Sequence, residues 1–375
     1  MKILHFVQSS DASIGGSLTV ARALVKAQRE LGMDAWLVSL YENPAASEKA
    51  VLEPFEICCA APRKSRWTRG LLALRSLVRR LQPDVIHHHD GILWPRLACL
   101  GLGIAKVSHG HVGAPAALFF SSAWWTHLVT LMTTHHLIAI SSWVAESWAS
   151  SGMAGSKLTV IPNGVDRRRF FRRKADVRRA VRSRLGISEG DTLLLWAGRL
   201  DRETKGLDRL AGVSKCLSPQ VKLVVMGDGP DGAWLKELLA DQSLGILPVF
   251  TGMVEDPAEL FGCADAFLFT SKVEPFGLVL LEAASSGLPI YAFPCVGGGS
   301  DLLEKFQAYV GDDADYTKLA AAVSQGVATL PVESQKWLGD LCSWRSAAVS
   351  CAQVYADVNM ASASARVSGD ILGQH

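Results

Sequence analysis

Short apolar runs alternate with longer mixed segments along the first half of the chain. Runs of this length predict buried strands, and the segments between them predict helices. The predicted strands are 3–7, 35–40, 84–87, 104–108, 137–141 and 158–163, and the clearest helices are 15–31 and the basic segment 66–81. Alternation of this kind indicates a parallel sheet with helices on both faces.

The same alternation restarts in the second half, with strands predicted at 193–198, 221–226 and 266–270. The chain is therefore expected to form two doubly wound α/β domains. The predicted organisation is an N-terminal domain over 1–165, a basic linker over 166–190, a C-terminal domain over 191–343, a helix over 344–360 that completes the first domain, and a frayed tail over 361–375.

Composition supports a globular chain long enough for two cores. Of the 375 residues, 49% are hydrophobic and 20% charged, and the formal net charge of +2 gives no general attraction to nucleic acid. The eight cysteines include no CxxC pair, which is typical of reduced, cytoplasmic proteins. The start lacks the long apolar core of a signal peptide, and histidines, Gly110, Gly113 and Pro115 interrupt the uncharged stretch 107–145, so no membrane-spanning helix is expected there.

Two carboxylates flank an apolar segment in the second half. Glu274 and Glu282 stand eight positions apart, and the residues from Phe276 through Gly277 and Leu278 predict a helix that starts behind a tight loop. A buried carboxylate needs a partner, since leaving it unpaired is costly. The pattern fits a ligand with hydroxyls at two depths, such as a sugar nucleotide, or a buried helix with one capping acid and one ion-paired acid.

Cations follow the first strand of the second domain. Arg199 and Lys205 come after the apolar run 193–198, at the edge of the sheet where open α/β sheets bind ligands. A guanidinium and an ammonium at one edge suit a diphosphate. The next strand ends at Gly227 and Gly229, which permit a close approach of the backbone to a ligand.

These residues, in this order and spacing, make the chain resemble a retaining glycosyltransferase of family 4 with the GT-B fold. The resemblance covers roughly residues 1–355 and rests on Gly15-Gly16, His109, Pro162-Asn163-Gly164-Val165-Asp166, Gly198-Arg199 with Lys205-Gly206, Gly227-Asp228-Gly229, and the two glutamates. It implies two Rossmann-like domains facing across a cleft, a nucleotide-sugar donor, a glycan or lipid-linked acceptor, and hexose transfer in the synthesis of cell-surface polysaccharide or lipopolysaccharide.

The resemblance also implies roles for individual residues. Glu282 would bind the ribose hydroxyls, Glu274 the sugar hydroxyls, and His109 would lie beside the transferred sugar. Arg199 and Lys205 would stabilise the leaving diphosphate, and Gly16 would present a helix N-terminus to an anion. The donor-binding set is Gly16, Arg199, Lys205, Gly227, Gly229, Glu274, Phe276, Gly277, Leu278 and Glu282. The family mechanism needs no enzymic nucleophile and no metal cofactor.

Three features leave alternatives open. His87, His88 and His89 suggest a metal, but adjacent strand residues point to opposite faces and three in a row cannot converge on one ion, so no metal site is predicted. The basic segments 63–80 and 167–184 suit either solvated helix faces or adhesion to an anionic inner membrane surface, and neither carries a nucleic-acid recognition motif. A nucleotide-sugar 2-epimerase and a non-catalytic relative remain the rival functions.

Overall fold

The structure is a computed structural model, and it describes residues 1–9, 16–41, 54–58, 67–89, 91–115, 121–240, 247–313, 315–340 and 342–372. The strands are β1 (Lys2–Ser9), β2 (Asp34–Tyr41), β3 (Glu56–Cys58), β4 (Val85–His88), β5 (Ala105–Gly110), β6 (His136–Ala139), β7 (Leu158–Val160), β8 (Thr192–Ala197), β9 (Val221–Met226), β10 (Val249–Gly252), β11 (Ala266–Phe269), β12 (Ile290–Ala292) and β13 (Tyr309–Val310).

The helices are α1 (Gly16–Glu30), α2 (Trp67–Leu81), α3 (Leu93–Ala98), α4 (Ser122–Thr133), α5 (Ser142–Ser150), α6 (Ala175–Arg184), α7 (Arg202–Lys205), α8 (Leu207–Ser214), α9 (Gly232–Leu238), α10 (Pro257–Cys263), α11 (Leu278–Ser285), α12 (Gly299–Lys305), α13 (Tyr316–Gln325), α14 (Val332–Asp340) and α15 (Trp344–Leu372). Over the described ranges, none of them combines the length and the apolar composition that crossing a membrane requires.

The chain divides into two compact units. The first comprises Met1–Asn163 and Trp344–His375, and the second comprises Gly164–Ser343. In the part of the chain that the structure describes, the first unit has a parallel sheet in the order β3-β2-β1-β4-β5-β6-β7, and the second has one in the order β10-β9-β8-β11-β12-β13. The prediction of two Rossmann-like α/β domains is confirmed.

The strand order reverses at one place in each sheet, between β1 and β4 and between β8 and β11. Loops that leave the carboxyl ends of strands on the two sides of such a reversal run in opposite directions and leave a crevice between them. Gly16 follows β1, and Arg199, Lys205 and Glu274 follow β8 and β11. His109 lies in β5, and Gly227 and Gly229 follow β9, each one strand away from the reversal.

The first unit is completed by the last helix, as the apolar residues of that helix predict. Tyr355 of α15 is fully buried and packs in one cluster with Leu24 of α1, Ile3 of β1 and Val107 of β5. The helix was expected to end near 360 with a frayed tail, but α15 continues to Leu372.

The segment 166–190 belongs to the second unit and contains α6, whereas the sequence suggested a separate linker. Side chains from the body of that unit hold it. Arg172, Arg178 and Arg182 all pair with Asp265, the residue that precedes β11. The sequence could not reveal this arrangement, because the pairing acid lies 83–93 positions downstream.

Candidate active site

In the second unit, the loops after β8 and β11 bring two predicted residues into contact. Lys205 ends α7, and Glu274 lies between β11 and α11. The ammonium nitrogen of Lys205 is 2.7 Å from Oε2 of Glu274. Glu274 is buried and Ser271 also donates its hydroxyl to it at 3.4 Å, so the buried carboxylate has the partners that its desolvation requires.

Backbone geometry at Gly206 makes this contact achievable. Gly206 adopts a left-handed conformation with φ of 62°, and a Cβ atom there would lie 2.1 Å from the carbonyl oxygen of Thr270. The hydroxyl of Thr270 donates to the carbonyl oxygen of Lys205 and accepts from the indole N–H of Trp196. The end of α7 is therefore held directly against the end of β11.

The glycines after β9 pack against the loop after β8. A Cβ atom at Gly227 would lie 1.9 Å from the carbonyl oxygen of Gly198, and one at Gly229 would lie 2.5 Å from that of Leu200. Their close approach is thus to the loop after β8, which carries Arg199. They shape the site by packing two loops together, a role that the sequence alone did not separate from direct ligand contact.

Arg199 lies in that loop with an exposed side chain. The backbone N–H of Thr204, with help from the positive charge of Arg199, holds the pKa of Asp201 below its usual value. Asp201 accepts that N–H at 3.0 Å as the N-cap of α7. The loop therefore presents a guanidinium beside a fixed helical turn that ends in Lys205.

The segment 276–282 begins a helix as predicted. Gly277 has φ of 100° and precedes α11, while Phe276 is buried and Leu278 is half-buried. Glu282 lies in the second turn and is half-buried. Desolvation raises its pKa to about 7, against the opposing charge of Arg169. Near neutral pH this carboxyl group can both donate and accept hydrogen bonds.

Two features that support Glu274 escaped the sequence interpretation. Gly297 and Gly299 pack closely against Glu274. A Cβ atom at Gly297 would lie 2.3 Å from the carbonyl oxygen of Glu274, and one at Gly299 would lie 2.9 Å from the Cβ atom of Glu274. Arg209 of α8 is buried and donates to the carbonyl oxygens of Thr270, Ser271 and Pro294. Only the glycine-rich loop was visible as a signal in the sequence.

In the first unit, Gly16 and His109 each lie at or near the end of an element. Gly16 is the first residue of α1, after β1, as expected. His109 is the penultimate residue of strand β5 and is buried. Its Nδ1 forms a hydrogen bond of 3.2 Å with Nε2 of His87. Among the described residues, Nε2 of His109 has no hydrogen-bond partner although it is buried.

His109 belongs to a cluster of five histidines that the sequence argument did not foresee. His87 and His89 share one face of β4 and meet His5 from β1 and His109 and His111 from β5, whereas His88 lies on the other face near Arg96. In two groups of three histidines, the ring nitrogens lie within 4.8 Å of one another, close enough to be considered as metal ligands. One group is His5, His87 and His89, and the other is His89, His109 and His111. His87, His88 and His89 do not converge on one point, as predicted, but the sequence argument considered only these adjacent residues and missed the partners from β1 and β5.

The two basic segments differ in how far their charges are already paired. In the second segment, seven arginines form ion pairs with acids: Arg168, Arg169, Arg172, Arg178, Arg179, Arg182 and Arg184. In the first segment, residues 63–66 lie outside the described residues, while Arg79 and Arg80 at the end of α2 are exposed. Any interaction with an anionic surface is therefore better supported for α2.

Comparison with known proteins assigns the class. The sequence model described as "Glycosyltransferase Family 4" matches residues 14–169, and the one described as "Glycosyl transferases group 1" matches residues 177–328. The chain belongs to glycosyltransferase family 4 and is a glycosyltransferase.

Curated relatives and solved structures agree with this family. A GDP-mannose-dependent alpha-mannosyltransferase of Corynebacterium glutamicum is 27% identical over 77% of this chain and 71% of its own length. A lipopolysaccharide 1,6-galactosyltransferase of Escherichia coli is 27% identical over 81% and 82%, respectively. The crystal structure of Anabaena HepE with UDP and glucose matches 95% of this chain and 99% of its own with a TM-score of 0.77 at 19% identity, which supports the GT-B fold.

Proposed function

We propose that this protein is a retaining glycosyltransferase that moves a hexose from a nucleotide-sugar donor to a glycan or lipid-linked acceptor in the synthesis of cell-surface polysaccharide or lipopolysaccharide. The observation that carries the proposal is the Lys205–Glu274 pair at the strand-order reversal of the second unit. The names of the relatives support the substrate class, since they include a lipopolysaccharide galactosyltransferase and a protein crystallised with UDP and glucose.

The chemistry follows from the charge that develops during transfer. When the glycosyl–phosphate bond breaks, negative charge builds on the leaving diphosphate, and a preorganised cation lowers the barrier. An ammonium group has three N–H donors, so Lys205 can keep its bond to Glu274 and still donate to phosphate oxygens. Arg199, on the adjacent loop, adds a forked donor suited to phosphate.

The remaining proposed roles belong to the two glutamates of the second unit and to His109 and Gly16 of the first. Glu274 accepts hydrogen bonds from sugar hydroxyls, and Glu282 accepts them from ribose hydroxyls. Gly277 and the start of α11 lie between these two glutamates in the sequence. His109 contacts the transferred sugar and Gly16 offers the start of α1 to an anion. The leaving phosphate takes the proton of the acceptor, so neither an enzymic nucleophile nor a metal cofactor is required.

The decisive experiment is a donor screen with the purified protein. UDP-, GDP-, ADP- and dTDP-sugars are incubated with it, and release of the nucleoside diphosphate is measured with and without EDTA. We expect turnover of one nucleotide class, at a rate that EDTA does not change. We also expect the product to retain the anomeric configuration of the donor. Turnover that disappears in EDTA and returns with Mg²⁺ or Mn²⁺ contradicts the metal-independent mechanism, and 2-epimerisation of the sugar favours the rival enzyme.

A further inference from the structure

The five histidines of the first unit are arranged in two hydrogen-bonded rows. In the first row, Nε2 of His111 is 3.0 Å from Nδ1 of His89, and Nε2 of His89 is 2.9 Å from Nδ1 of His5. In the second row, Nε2 of His87 is 3.2 Å from Nδ1 of His109. The rows lie face to face, with ring centroids of His109 and His111 4.5 Å apart.

A glutamine and a tyrosine connect the two rows at one end. Oε1 of Gln28 is 2.8 Å from Nε2 of His5, and Nε2 of Gln28 is 3.1 Å from the hydroxyl of Tyr355. That hydroxyl is 2.6 Å from Nδ1 of His87. Seven side chains from β1, α1, the ends of β4 and β5, and α15 thus form one continuous chain of hydrogen bonds from His111 to His109.

Burial keeps the rings neutral. Desolvation lowers the pKa of His5 and of His111 to about 4, and it lowers the pKa values of His87, His89 and His109 well below the ordinary histidine value, with repulsion between neighbouring rings adding to it. A neutral imidazole carries one proton, on one of its two nitrogens. The hydrogen-bond partners of each ring therefore decide whether its proton is on Nδ1 or on Nε2.

The amide of Gln28 fixes the proton positions in the first row. An imidazole or a hydroxyl can donate or accept at either contact, but an amide oxygen only accepts and an amide nitrogen only donates. Because Oε1 of Gln28 accepts, His5 carries its proton on Nε2 and accepts at Nδ1. His89 must then donate from Nε2, and His111 must do the same toward His89.

The same amide fixes the second row through the tyrosine. Nε2 of Gln28 donates to the oxygen of Tyr355. The hydroxyl proton of Tyr355 then has two acceptors within reach, Nδ1 of His87 at 2.6 Å and the thiol of Cys351, and it goes to Nδ1 of His87 because sulfur is the weaker acceptor. His87 then carries its own proton on Nε2 and donates it to Nδ1 of His109. His109 is left with its proton on Nε2, which is the buried nitrogen without a partner in the described part of the chain.

We infer that Gln28 and Tyr355 are positioning residues that hold His109 as the neutral Nε2–H tautomer, so that it donates a hydrogen bond to an oxygen of the transferred sugar. The inference rests on the proposed function for the contact between His109 and the sugar. A buried N–H without a partner is costly and is satisfied by an acceptor oxygen. A ring with a proton at this nitrogen cannot act there as a base, which agrees with a mechanism in which the leaving phosphate takes the proton.

A metal ion fits the same histidines less well. Nitrogens that face each other within a row are 2.9–3.2 Å apart and point at each other along a hydrogen bond, so an ion bound at about 2.0–2.1 Å from both would lie off the line along which their lone pairs point. Between rows the rings meet face to face, and the lone pairs of an imidazole lie in the plane of its ring. Coordination would require the rings to rotate and the hydrogen-bond chain to break.

The direct test is ¹⁵N NMR of protein labelled at histidine, in which long-range ¹H–¹⁵N correlations distinguish the two tautomers. Individual histidine-to-asparagine variants assign the signals. In the wild-type protein we expect all five rings as Nε2–H. Tyr355→Phe should introduce Nδ1–H forms of His87 and His109 only, and Gln28→Met should introduce them in both rows.

Tyr291→Phe is the matched control, since Tyr291 is also a buried tyrosine whose hydroxyl accepts a hydrogen bond, here from the N–H of Ala328 in the second unit. It should leave all five histidine signals unchanged. The inference is overturned if Tyr355→Phe leaves His87 and His109 as before, or if the wild-type protein binds one equivalent of Zn²⁺ that is lost in His89→Asn.

Activity provides a second, separate measurement. Tyr355→Phe should lower kcat/KM roughly two- to tenfold, as expected for one weakened hydrogen bond, and should cause no further loss when His109 is already alanine. If no donor is turned over by the wild-type protein, the proposed function fails while the NMR result still decides the tautomers. If the tautomers change as expected but kcat/KM does not, the role of the network in transfer is overturned.

Discussion

At the scale of single residues, the ammonium group of Lys205 and the carboxylate of Glu274 act as a pair. Lys205 and Glu274 are joined by a charge-assisted hydrogen bond of 2.7 Å, and each restricts the position of the other. A cation that is already held in place stabilises developing charge without reorganisation during the reaction. The effects of substituting either residue are therefore expected to overlap.

Lys205→Ala should reduce transfer by about 10²–10³-fold, because the removed cation faces charge that grows in the transition state. Glu274→Gln should also reduce turnover, and the double variant should lose less than the product of the two single losses. Initial rates with the donor identified by the screen measure all three. Lys215→Ala, which removes an exposed lysine of the same unit, should retain normal rates, and a comparable loss there would contradict the assignment.

Glu282 gives a prediction about pH. Its pKa of about 7 means that the carboxylate becomes fully available to ribose hydroxyls only as the pH rises through neutrality. Binding of the nucleoside diphosphate should therefore tighten by about tenfold between pH 6 and pH 8. Calorimetry on the wild type and Glu282→Gln separates this effect from ionisation of the nucleotide, since the amide cannot titrate. Identical pH profiles for the two proteins would exclude a titrating Glu282.

At the scale of elements, the site depends on how closely neighbouring loops pack. The loops after β8, β9 and β11 approach each other so closely that glycine is required at Gly206, Gly227 and Gly229. These loops carry or support the charged side chains, so their packing sets the geometry of the site. A methyl group in one of them should disturb both stability and activity.

Gly206→Ala tests this dependence against a control with the same backbone strain. Gly206 and Gly326 have φ values of 62° and 63°, but a Cβ atom at Gly326 meets nothing within 4 Å. Gly326→Ala should lower the free energy of unfolding by about 1–2 kcal/mol, the ordinary cost of a left-handed alanine. Gly206→Ala should cost about 1–3 kcal/mol more, because the methyl group displaces the carbonyl of Thr270, and it should also reduce transfer. Urea denaturation measures the difference, and equal stability of the two variants would refute the close-packing argument.

At the scale of the whole molecule, the buried histidines link the stability of the first unit to pH. Their pKa values are lower in the folded state than the ordinary value near 6.5, so the unfolded state binds more protons as the pH falls below 6.5. The part of the folding free energy that depends on these neutral rings is therefore fully present above pH 6.5 and is lost progressively as the pH falls toward 4.

Each such histidine should contribute a slope of up to about 1.4 kcal/mol per pH unit in this window. We expect the first unit to unfold at lower temperature at pH 5 than at pH 7.5 in a calorimetric scan. His111→Asn removes one titrating ring and should reduce the slope. A transition temperature that is constant between pH 7.5 and 5 would show that the rings are not buried in the neutral form.

The basic end of α2 gives a further prediction for the whole molecule. The apolar residues Leu74, Leu77 and Val78 face the core, and Arg75 donates to the carbonyl oxygens of Ala98 and Leu100, which leaves Arg79 and Arg80 exposed. Each basic residue near an anionic surface contributes about 1 kcal/mol. Weak binding to anionic vesicles is expected, and it should be reversed by salt.

The measurement is co-sedimentation with phosphatidylglycerol vesicles at low and high salt. Changing both Arg79 and Arg80 to Glu should abolish sedimentation, whereas the same charge change at the exposed Lys215 and Lys318 of the second unit should not. If both double variants sediment like the wild type, α2 is a solvated basic face and not a membrane contact.

The sequence by itself determined the local elements and the candidate residues. The period of the apolar residues predicted β9 with its observed bounds and predicted α1, β8 and α11 to within a few residues, because burial on a sheet or a helix imposes that period. The positions of Lys205, Glu274 and Gly277 at strand and helix ends followed from the same pattern.

Only the tertiary structure decided which side chains meet. The Lys205–Glu274 pair, the contact of Gly227 with Gly198, the convergence of arginines on Asp265 and the histidine rows all join residues that are distant in sequence. Such contacts depend on the order β2-β1-β4-β5 and β9-β8-β11 and on where α15 packs. Local hydrophobic patterns carry no information about strand order, since every buried parallel strand presents a similar apolar run.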